Sequence, residues 1–338
     1  MPPLRTRLLP PCLVALALLA GCGSSTDPNA ATPGTGSGTT PGSGSGADRT
    51  TIVMIPKGTT HVFWKAVERG ARDAAAAHDV DLVWKGPLKE NDRAQQIQLV
   101  QQFIVQDVDA IALAPLDQDA LVTPVADAAA SGIPVVIFDS ALTGTSGTDF
   151  VSFIATDNEA GGRLGGDHLA TLLEPGDDVV LLRYLVGSAS TLQRESGFLA
   201  AMADADHDVL VENRYAGPTA GEAKTTALNM MSSIRAAKGV FCSNESATYG
   251  MLLALRQEGL AGQIRFVGFD ASPPLVEALR TGEIDALVVQ NPRRMGALAI
   301  ETLVRHLRGE PVETVIDTGA VLVTKANMDD PAIAPLLE

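Results

Sequence analysis

The chain has 338 residues and is acidic, with 25 Lys and Arg against 40 Asp and Glu and a formal net charge of −15 at pH 7. This balance excludes the basic footprint of a nucleic-acid-binding protein. Of its three cysteines, two lie within the first 22 residues and only Cys242 follows, so a disulfide framework is excluded from the rest of the chain.

The first residues have the pattern of an export signal. Two arginines precede an apolar stretch at 12–20, which is about half the roughly 20 residues that a membrane span requires. The sequence LAGC at 19–22 resembles the bacterial lipoprotein cleavage box, which predicts a signal peptide at 1–21 and lipidation of Cys22. The alternative is an ordinary signal peptide that happens to contain Cys22. A lipidated protein would be tethered to a membrane without crossing it.

Residues 22–49 are predicted to carry the lipid and a flexible linker. They consist almost wholly of Gly, Ser, Thr, Pro, Ala and Asp, a composition that buries too little apolar surface to offset the entropy of ordering. The folded protein would then lie in the cell envelope, on the periplasmic or extracytoplasmic face. Either an inner membrane facing a periplasm or a Gram-positive cell surface fits this prediction.

From residue 50 onward, short apolar runs alternate with amphipathic segments. The predicted order is strand 51–55, helix 63–78, strand 81–85, helix 93–106, strand 110–114, helix 119–131, strand 134–138, strand 151–154, helix 157–173, strand 179–184, helix 194–205, strand 209–215, helix 220–236, strand 239–242, helix 246–258, strand 264–269, helix 274–281 and strand 286–290. Alternating strands and helices predict right-handed βαβ units and parallel sheets. Two consecutive series of this kind indicate two similar lobes.

Six of the apolar runs are followed by a polar residue. These residues are Lys57, Asp139, Arg183, Asn244, Asp270 and Gln290. Because ligands of parallel α/β sheets bind beyond the carboxyl ends of the strands, we expect such side chains to converge on one crevice. A set with donors, acceptors and charges suits a polyhydroxylated small molecule better than a single reaction centre.

Seven segments together carry a family resemblance. They are TIVMIPKGTTHVFWKAVERG at 51–70, IPVVIFDS at 133–140, ATDNEAGG at 155–162, GSASTLQRESGF at 187–198, FCSNES at 241–246, FVGFDAS at 266–272 and residues 282–295. In this order they resemble the ribose-type periplasmic sugar-binding proteins, the solute receptors of bacterial ABC importers. The resemblance covers about residues 50–325.

The resemblance implies the type I periplasmic binding protein fold, an α/β fold with two similar doubly wound parallel-sheet lobes. A three-crossover hinge would join them near 155–157, 290–292 and 317–320. The N-terminal lobe would then comprise residues 50–155 and 291–318, and the C-terminal lobe residues 156–290 and 319–338. Ligand binding would shift the population from an open to a closed form.

The resemblance also implies a ligand site. Asp139 and Asp270 match the sugar-binding aspartates, whose charged oxygens accept hydroxyl hydrogen bonds. Asn244 and Gln290 match the family's amides. The predicted ligand-binding residues are Lys57, His61, Phe63, Trp64, Asp139, Ser140, Ser190, Arg194, Tyr215, Asn244, Asp270 and Gln290.

Several of these positions have a second interpretation. Ser140 stands where the ribose receptors have an arginine, and the family's second-lobe arginine aligns with either Arg194 or Leu192. Lys57 either binds an acid group of the ligand or neutralises Asp139. The residues with a purely structural second interpretation are Asp270 and Glu245, which would each cap a helix, and Trp84 and Tyr215, which would each pack between the lobes.

No signature of catalysis is found in the folded part. It has no Gly-x-Ser-x-Gly sequence, and its histidines lack metal-ligand spacing, so we expect no catalytic residue, cofactor or metal. The enzymatic alternative is a glycosidase pair formed by Asp139 and Asp270. A transcription regulator would need a helix-turn-helix before the first strand, where the export signal and linker lie.

The sequence therefore predicts a lipid-anchored, monomeric receptor for a monosaccharide or related polyol, which it delivers to an ABC importer permease. The membrane would be contacted through the lipid alone. The alternative is a receptor for a sugar acid, a sugar phosphate or a furanose-like signal that serves a chemotaxis or sensor partner.

Overall fold

The computed structural model describes residues 49–337. The predicted signal peptide, the predicted lipidation site at Cys22 and the predicted linker up to residue 48 lie outside this range. Between residues 49 and 337, no helix combines the length and the apolar character that crossing a bilayer requires.

The chain forms two six-stranded sheets, each flanked by helices. In the first half the elements are β1 (Thr51–Ile55), α1 (Val62–His78), β2 (Asp81–Trp84), α2 (Arg93–Val105), β3 (Ala110–Leu113), α3 (Val122–Ala130), β4 (Val135–Phe138), β5 (Ser152–Ala155), α4 (Asn158–Thr171) and β6 (Val179–Arg183). The remaining elements are α5 (Ala189–Asp204), β7 (Val209–Tyr215), α6 (Ala220–Asn229), α7 (Met231–Ala236), β8 (Gly239–Cys242), α8 (Glu245–Gln257), β9 (Arg265–Phe269), α9 (Pro273–Thr281), β10 (Ala286–Gln290), α10 (Pro292–Leu307), β11 (Val315–Asp317), β12 (Ala320–Thr324) and a final 3-10 helix (Ala334–Leu337).

The strand order defines two lobes. The first sheet has the order β11-β5-β4-β3-β1-β2 and the second β12-β10-β9-β8-β6-β7. We call the elements around these sheets the first and second lobe, with α10 in the first. The chain passes between the sheets after β5, after β10 and after β11, which confirms the predicted two-lobed α/β fold with three crossovers.

One strand runs against the others. All neighbouring strands pair in parallel except β12, which is antiparallel to β10. The other two crossovers lead into helices α4 and α10, whereas the third joins β11 to β12 through a short turn at 318–319. β12 begins at the hinge and runs away from it, whereas β10 runs toward the hinge and ends there. The two strands are therefore antiparallel.

Each sheet is buried on both faces. Along β1, Ile52 and Met54 pack with residues of α1 and α10, whereas Val53 and Ile55 pack with α2 and α3. This alternation follows from the two-residue period of a strand, and its apolar residues on both faces are typical of parallel sheets covered by helices. Two further clusters cover the faces of the second sheet.

Several elements of the structure differ from the sequence predictions. α5 begins at Ala189, five residues before the predicted start at 194, because its first turn faces the other lobe and carries polar residues instead of an amphipathic pattern. The predicted helix 220–236 is divided into α6 and α7 at Met230. α10, β11 and β12 were not predicted, although α10 begins at the Asn291-Pro292 capping signal.

Candidate functional site

A cavity between the lobes is lined by residues from both. Ten of the twelve predicted ligand residues line it: Lys57, His61, Phe63, Trp64, Asp139, Ser190, Arg194, Asn244, Asp270 and Gln290. Four further lining residues were not among the predicted set: Glu90, Tyr184, Thr191 and Glu245. Most of the lining residues therefore carry polar or charged side chains, and Phe63 and Trp64 of the first lobe add aromatic rings.

The strand ends place the polar residues at the cavity. Asp139 directly follows β4, Asp270 directly follows β9, and Gln290 is the last residue of β10. Both aspartates have a left-handed backbone, with φ of 62° at Asp139 and 69° at Asp270. This conformation is uncommon outside glycine, and Asp is among the residues that tolerate it. The chain thus turns sharply at the strand end and leaves the carboxylate in the cleft.

Lys57 forms a buried ion pair within the first lobe. Its Nζ lies 3.0 Å from Asp139 Oδ2, and both side chains are almost wholly buried. The same ammonium group donates to Ser190 Oγ at 2.9 Å and to Ser188 Oγ at 3.3 Å, both at the start of α5 in the second lobe. Lys57 therefore neutralises Asp139, in agreement with one of its two sequence interpretations, and also joins the lobes.

Arg194 reaches the cavity from the second turn of α5. Its Nε donates to Asn158 Oδ1 at 2.8 Å, its Nη1 donates to the Ser243 carbonyl at 3.1 Å, and Nη1 lies 4.0 Å from Asp270 Oδ2. The guanidinium also lies over the Phe269 ring, 4.0 Å from its centroid. Of the two positions that could align with the family's second-lobe arginine, Arg194 lines the cavity and Leu192 does not.

Asp270 is held in place by donors from two directions. Gln290 Nε2 donates to its Oδ1 at 2.6 Å, and the backbone N–H of Glu245 donates to its Oδ2 at 2.9 Å. The N-cap of the helix after Asp270 is Ser272, so Asp270 supports the first turn of α8 instead of the helix that follows it. Burial raises the pKa of Asp270, although the Arg194 charge and the Gln290 hydrogen bond act in the opposite direction.

His61 and Glu90 form a second buried pair in the first lobe. His61 Nδ1 lies 2.8 Å from Glu90 Oε1, which also accepts the indole N–H of Trp64 at 2.6 Å. Burial lowers the pKa of His61, but the charge and hydrogen bond of Glu90 outweigh it and raise that pKa to about 9. Burial likewise raises the pKa of Glu90, but the charge and hydrogen bond of His61 bring it down to about 2. Both groups are therefore charged at pH 7.

The aromatic part of the wall is ordered by edge contacts. The Phe63 and Trp64 rings meet edge to face, with centroids 5.0 Å apart and an interplanar angle of 85°. Trp64 makes a similar contact with Phe138, at 6.2 Å and 80°. Such pairs hold the rings in fixed orientations, so each offers an apolar face or edge to a molecule in the cavity.

Tyr184 brings an unsatisfied hydroxyl to the cavity. It follows β6 and is almost wholly buried, and its Oη has no hydrogen-bond partner among the residues that the structure describes. Burial and the nearby Glu90 charge raise its pKa well above the usual value for tyrosine. A buried hydroxyl without a partner is costly, so this atom is available to a polar ligand. The strand-end pattern pointed to Arg183 instead, which pairs with Glu195 at 3.0 Å.

Two predicted ligand residues do not line the cavity. Ser140 is fully buried, and its Oγ accepts the backbone N–H of Ser190 at 3.1 Å, a contact between the lobes. Tyr215 ends the edge strand β7 and is 39% exposed. Trp84, which had two sequence interpretations, packs against the core of the first lobe.

The described residues contain no group of three or more His, Cys, Asp or Glu side chains arranged to hold a metal ion. Cys242, the one cysteine in residues 49–337, is buried in β8, and burial raises its pKa well above the usual value. It packs within the core of the second lobe.

Two parallel-sheet lobes with three crossovers and a polar cavity between them define the type I periplasmic binding protein architecture. The chain belongs to this family: the model of the periplasmic binding protein domain matches residues 52–311. The resemblance read from the sequence motifs is confirmed.

The similar proteins come from several bacteria. The D-ribose/D-allose-binding protein of Pseudomonas aeruginosa is 30% identical over 286 residues, which cover 82% of this chain and 89% of that protein. The ribose import binding protein of Salmonella typhimurium is also 30% identical, over 82% of this chain and 91% of its own length. A carbohydrate transporter solute-binding protein of Agrobacterium radiobacter, solved with D-arabinose, superposes with a TM-score of 0.82 at 33% identity and covers 86% of this chain and 100% of that one.

Proposed function

We propose that this protein is a solute receptor that binds one neutral monosaccharide or related polyol between its lobes and delivers it to an ABC importer. One observation carries the proposal: four carboxylates, two amides, three cationic side chains and three aromatic residues, contributed by opposite lobes, line one cavity. The relatives that bind ribose, allose or arabinose support the same ligand class.

The wall matches the chemistry of a sugar. The carboxylates of Asp139 and Asp270 accept hydrogen bonds from hydroxyl groups, and Arg194 and Asn244 supply donors to hydroxyl or ring oxygens. The rings of Phe63 and Trp64 cover an apolar C–H face. The free Tyr184 hydroxyl adds one more position that both donates and accepts.

The charges favour a neutral ligand over an acid. Lys57 is paired with Asp139 and His61 with Glu90, while Arg194 lies beside Asp270. Within the described residues, each cation that lines the cavity has a carboxylate nearby. A sugar acid or sugar phosphate would therefore bring an uncompensated negative charge into a buried site. Such a charge is costly.

The same pairing supports a non-catalytic site. A glycosidase needs one free carboxylate and one carboxylic acid beside the scissile bond. Here Asp139 is paired with Lys57, and Asp270 is held by Gln290 and by the first turn of α8. We therefore expect bound sugars and glycosides to be recovered chemically unchanged.

The proposed location is the cell envelope, with the receptor anchored through lipid on Cys22. This proposal is supported by the LAGC sequence at 19–22 and the linker that follows it. Labelled fatty acid should be incorporated by the wild type and not by Cys22→Ser, which should leave the membrane fraction. Incorporation by Cys22→Ser would overturn the anchor.

A thermal-shift screen tests the ligand class, because a molecule that binds only the folded protein raises its melting temperature. Neutral pentoses, hexoses and ketoses should raise it, and sugar acids and sugar phosphates at equal concentration should not. Calorimetry on the best neutral sugar should then give one site per chain. Stabilisation by acids alone would contradict the proposal.

A further inference from the structure

Glu245 joins the first turns of two helices that belong to opposite lobes. It is the first residue of α8 in the second lobe, and its Oε2 accepts the backbone N–H of Phe63 at 3.2 Å. Phe63 is the second residue of α1 in the first lobe. The carboxylate of one lobe thus lies at the helix N-terminus of the other.

α1 has no cap within its own lobe. Its N-cap residue, His61, makes no side-chain capping hydrogen bond within the described chain, and no acidic residue occupies its first turn. The first N–H groups of a helix have no intrahelical partner, and a carboxylate there satisfies them and interacts favourably with the helix dipole. Glu245 supplies this group across the cleft.

The groups around Glu245 support a contact that depends on closure. His61 at the start of α1 lies near it, and the His61 Nε2 approaches the Pro218 carbonyl of the second lobe at 3.2 Å. The backbone N–H of Glu245 is fixed by Asp270, so the start of α8 is anchored within its own lobe. Separating the lobes would therefore break the Glu245–Phe63 contact and leave α1 uncapped.

We propose that Glu245 is a positioning residue that caps α1 from the opposite lobe in the closed form, and so stabilises closure by the same amount whichever sugar is bound. This inference rests on the proposed function. Because Glu245 also lines the cavity, the test has to distinguish two contributions to affinity: direct contact with the sugar, and a contact between the lobes that closure alone creates.

Affinity for several sugars tests this separation. Calorimetry with D-ribose, D-arabinose, D-allose and D-fucose should show Glu245→Ala weakening every measurable affinity by one common factor, about 3- to 30-fold for a lost helix cap. Glu245→Gln keeps an acceptor oxygen and should stay within about 3-fold of the wild type. The control is Glu159→Ala, an exposed glutamate in the first turn of α4, which should change nothing. Losses that differ from sugar to sugar would overturn the proposal, because they would indicate direct contact.

Amide exchange of Phe63 provides a second readout, taken on the sugar-bound protein. Measured by NMR at a saturating concentration of a sugar that the wild type binds, exchange at Phe63 should be at least about fivefold faster in Glu245→Ala than in the wild type, and unchanged in Glu159→Ala. Unchanged exchange in Glu245→Ala overturns the cap. If no sugar binds the wild type, the proposed function and the closure-dependent cap both fail. If sugars bind but exchange is unchanged in Glu245→Ala, the cap alone fails.

Discussion

The residues that line the cavity are expected to contribute unequally to sugar affinity. Asp270 and Asn244 provide the first prediction. Both are almost wholly buried at strand ends of the second lobe. Replacing either with alanine should cost about 1–3 kcal/mol of sugar affinity, because hydroxyl groups of the ligand are left without partners in the closed cavity. Calorimetry measures this directly, with the exposed Asp204→Ala as a control. Unchanged affinity in both variants would place the ligand elsewhere.

The His61–Glu90 pair provides a prediction of pH dependence. The pKa of His61 is raised from 6.5 to about 9, so its stabilising contribution is complete below pH 6.5 and is lost as the pH rises through 9. The pKa of Glu90 is lowered from 4.5 to about 2, so its contribution is present above pH 4.5 and is lost as the pH falls through 2. The free energy of unfolding should therefore fall by about 2–3 kcal/mol between pH 6.5 and 9.5.

Urea unfolding across this pH range checks the pair, with His61→Gln as the matched variant. The variant should be less stable near pH 6 and should lose most of the decline between pH 6.5 and 9.5. An equal decline in both proteins would assign the effect to another group.

The sequence located most of the cavity residues that follow strands, with Tyr184 after β6 as the exception. Asp139, Asn244, Asp270 and Gln290 come at or just after the ends of apolar runs, and parallel strands bring such ends together. Glu90 could not be found in this way, because it lies in the loop between β2 and α2, six residues beyond the strand end. Tyr215 was predicted as a ligand residue but does not line the cavity, because β7 is an edge strand of the second sheet. A single sequence does not reveal which strand lies at an edge.

At the scale of elements, glycines permit the close packing of α4 on α5. Gly162 and Gly166 lie within the helix that the sequence predicts at 157–173. In the structure, a methyl group on Gly162 would overlap the Arg194 carbonyl, and one on Gly166 would contact Ala201. The backbones of α4 and α5 are therefore in close contact at Gly162 and Arg194. This contact sets the position from which the Arg194 side chain extends into the cavity.

Gly162→Ala should destabilise the protein by about 3 kcal/mol, since the overlap is with backbone that no rotamer change relieves. Gly221→Ala is the matched control, a glycine in α6 whose added methyl would meet nothing closer than 4.0 Å. That change should be neutral or stabilising by up to about 1 kcal/mol. Urea denaturation distinguishes the two, and equal effects would show that helix propensity, not packing, governs these sites.

Helix boundaries were predictable where one face of the helix is buried and the other is exposed to water. They were less predictable where the helix faces the cleft between the lobes. Helices α1 and α2 begin within one residue of prediction, because one face packs on a sheet and the other meets water. The start of α5 was missed because its first residues are polar yet buried, and they lie against Lys57 and Ser140 of the other lobe. These residues are Ser188, Ser190 and Thr191. Polar burial of this kind depends on the opposite lobe, here the first, which local periodicity does not report.

At the scale of the whole molecule, the three crossovers meet at Thr156. Its Oγ1 donates to Gln290 Oε1 at 2.9 Å and lies 3.3 Å from both Thr318 Oγ1 and the Gly319 carbonyl. Gln290 in turn donates to Asp270 at 2.6 Å. One amide side chain therefore links the hinge to the cavity, and a change at the hinge has a direct route to a proposed ligand group.

Thr156→Val tests this link, because it removes the hydroxyl while keeping the shape of the side chain. Without its donor, Gln290 is held at one end only and should position Asp270 less well. Sugar affinity should fall by about 3- to 10-fold and the free energy of unfolding by about 1–2 kcal/mol, as expected for one buried hydrogen bond. Thr171→Val, the same change at an exposed position of α4, should affect neither quantity. A loss of stability with unchanged affinity would show that the hinge and the cavity are energetically separate, whereas a parallel loss is the result expected if the amide of Gln290 transmits the change.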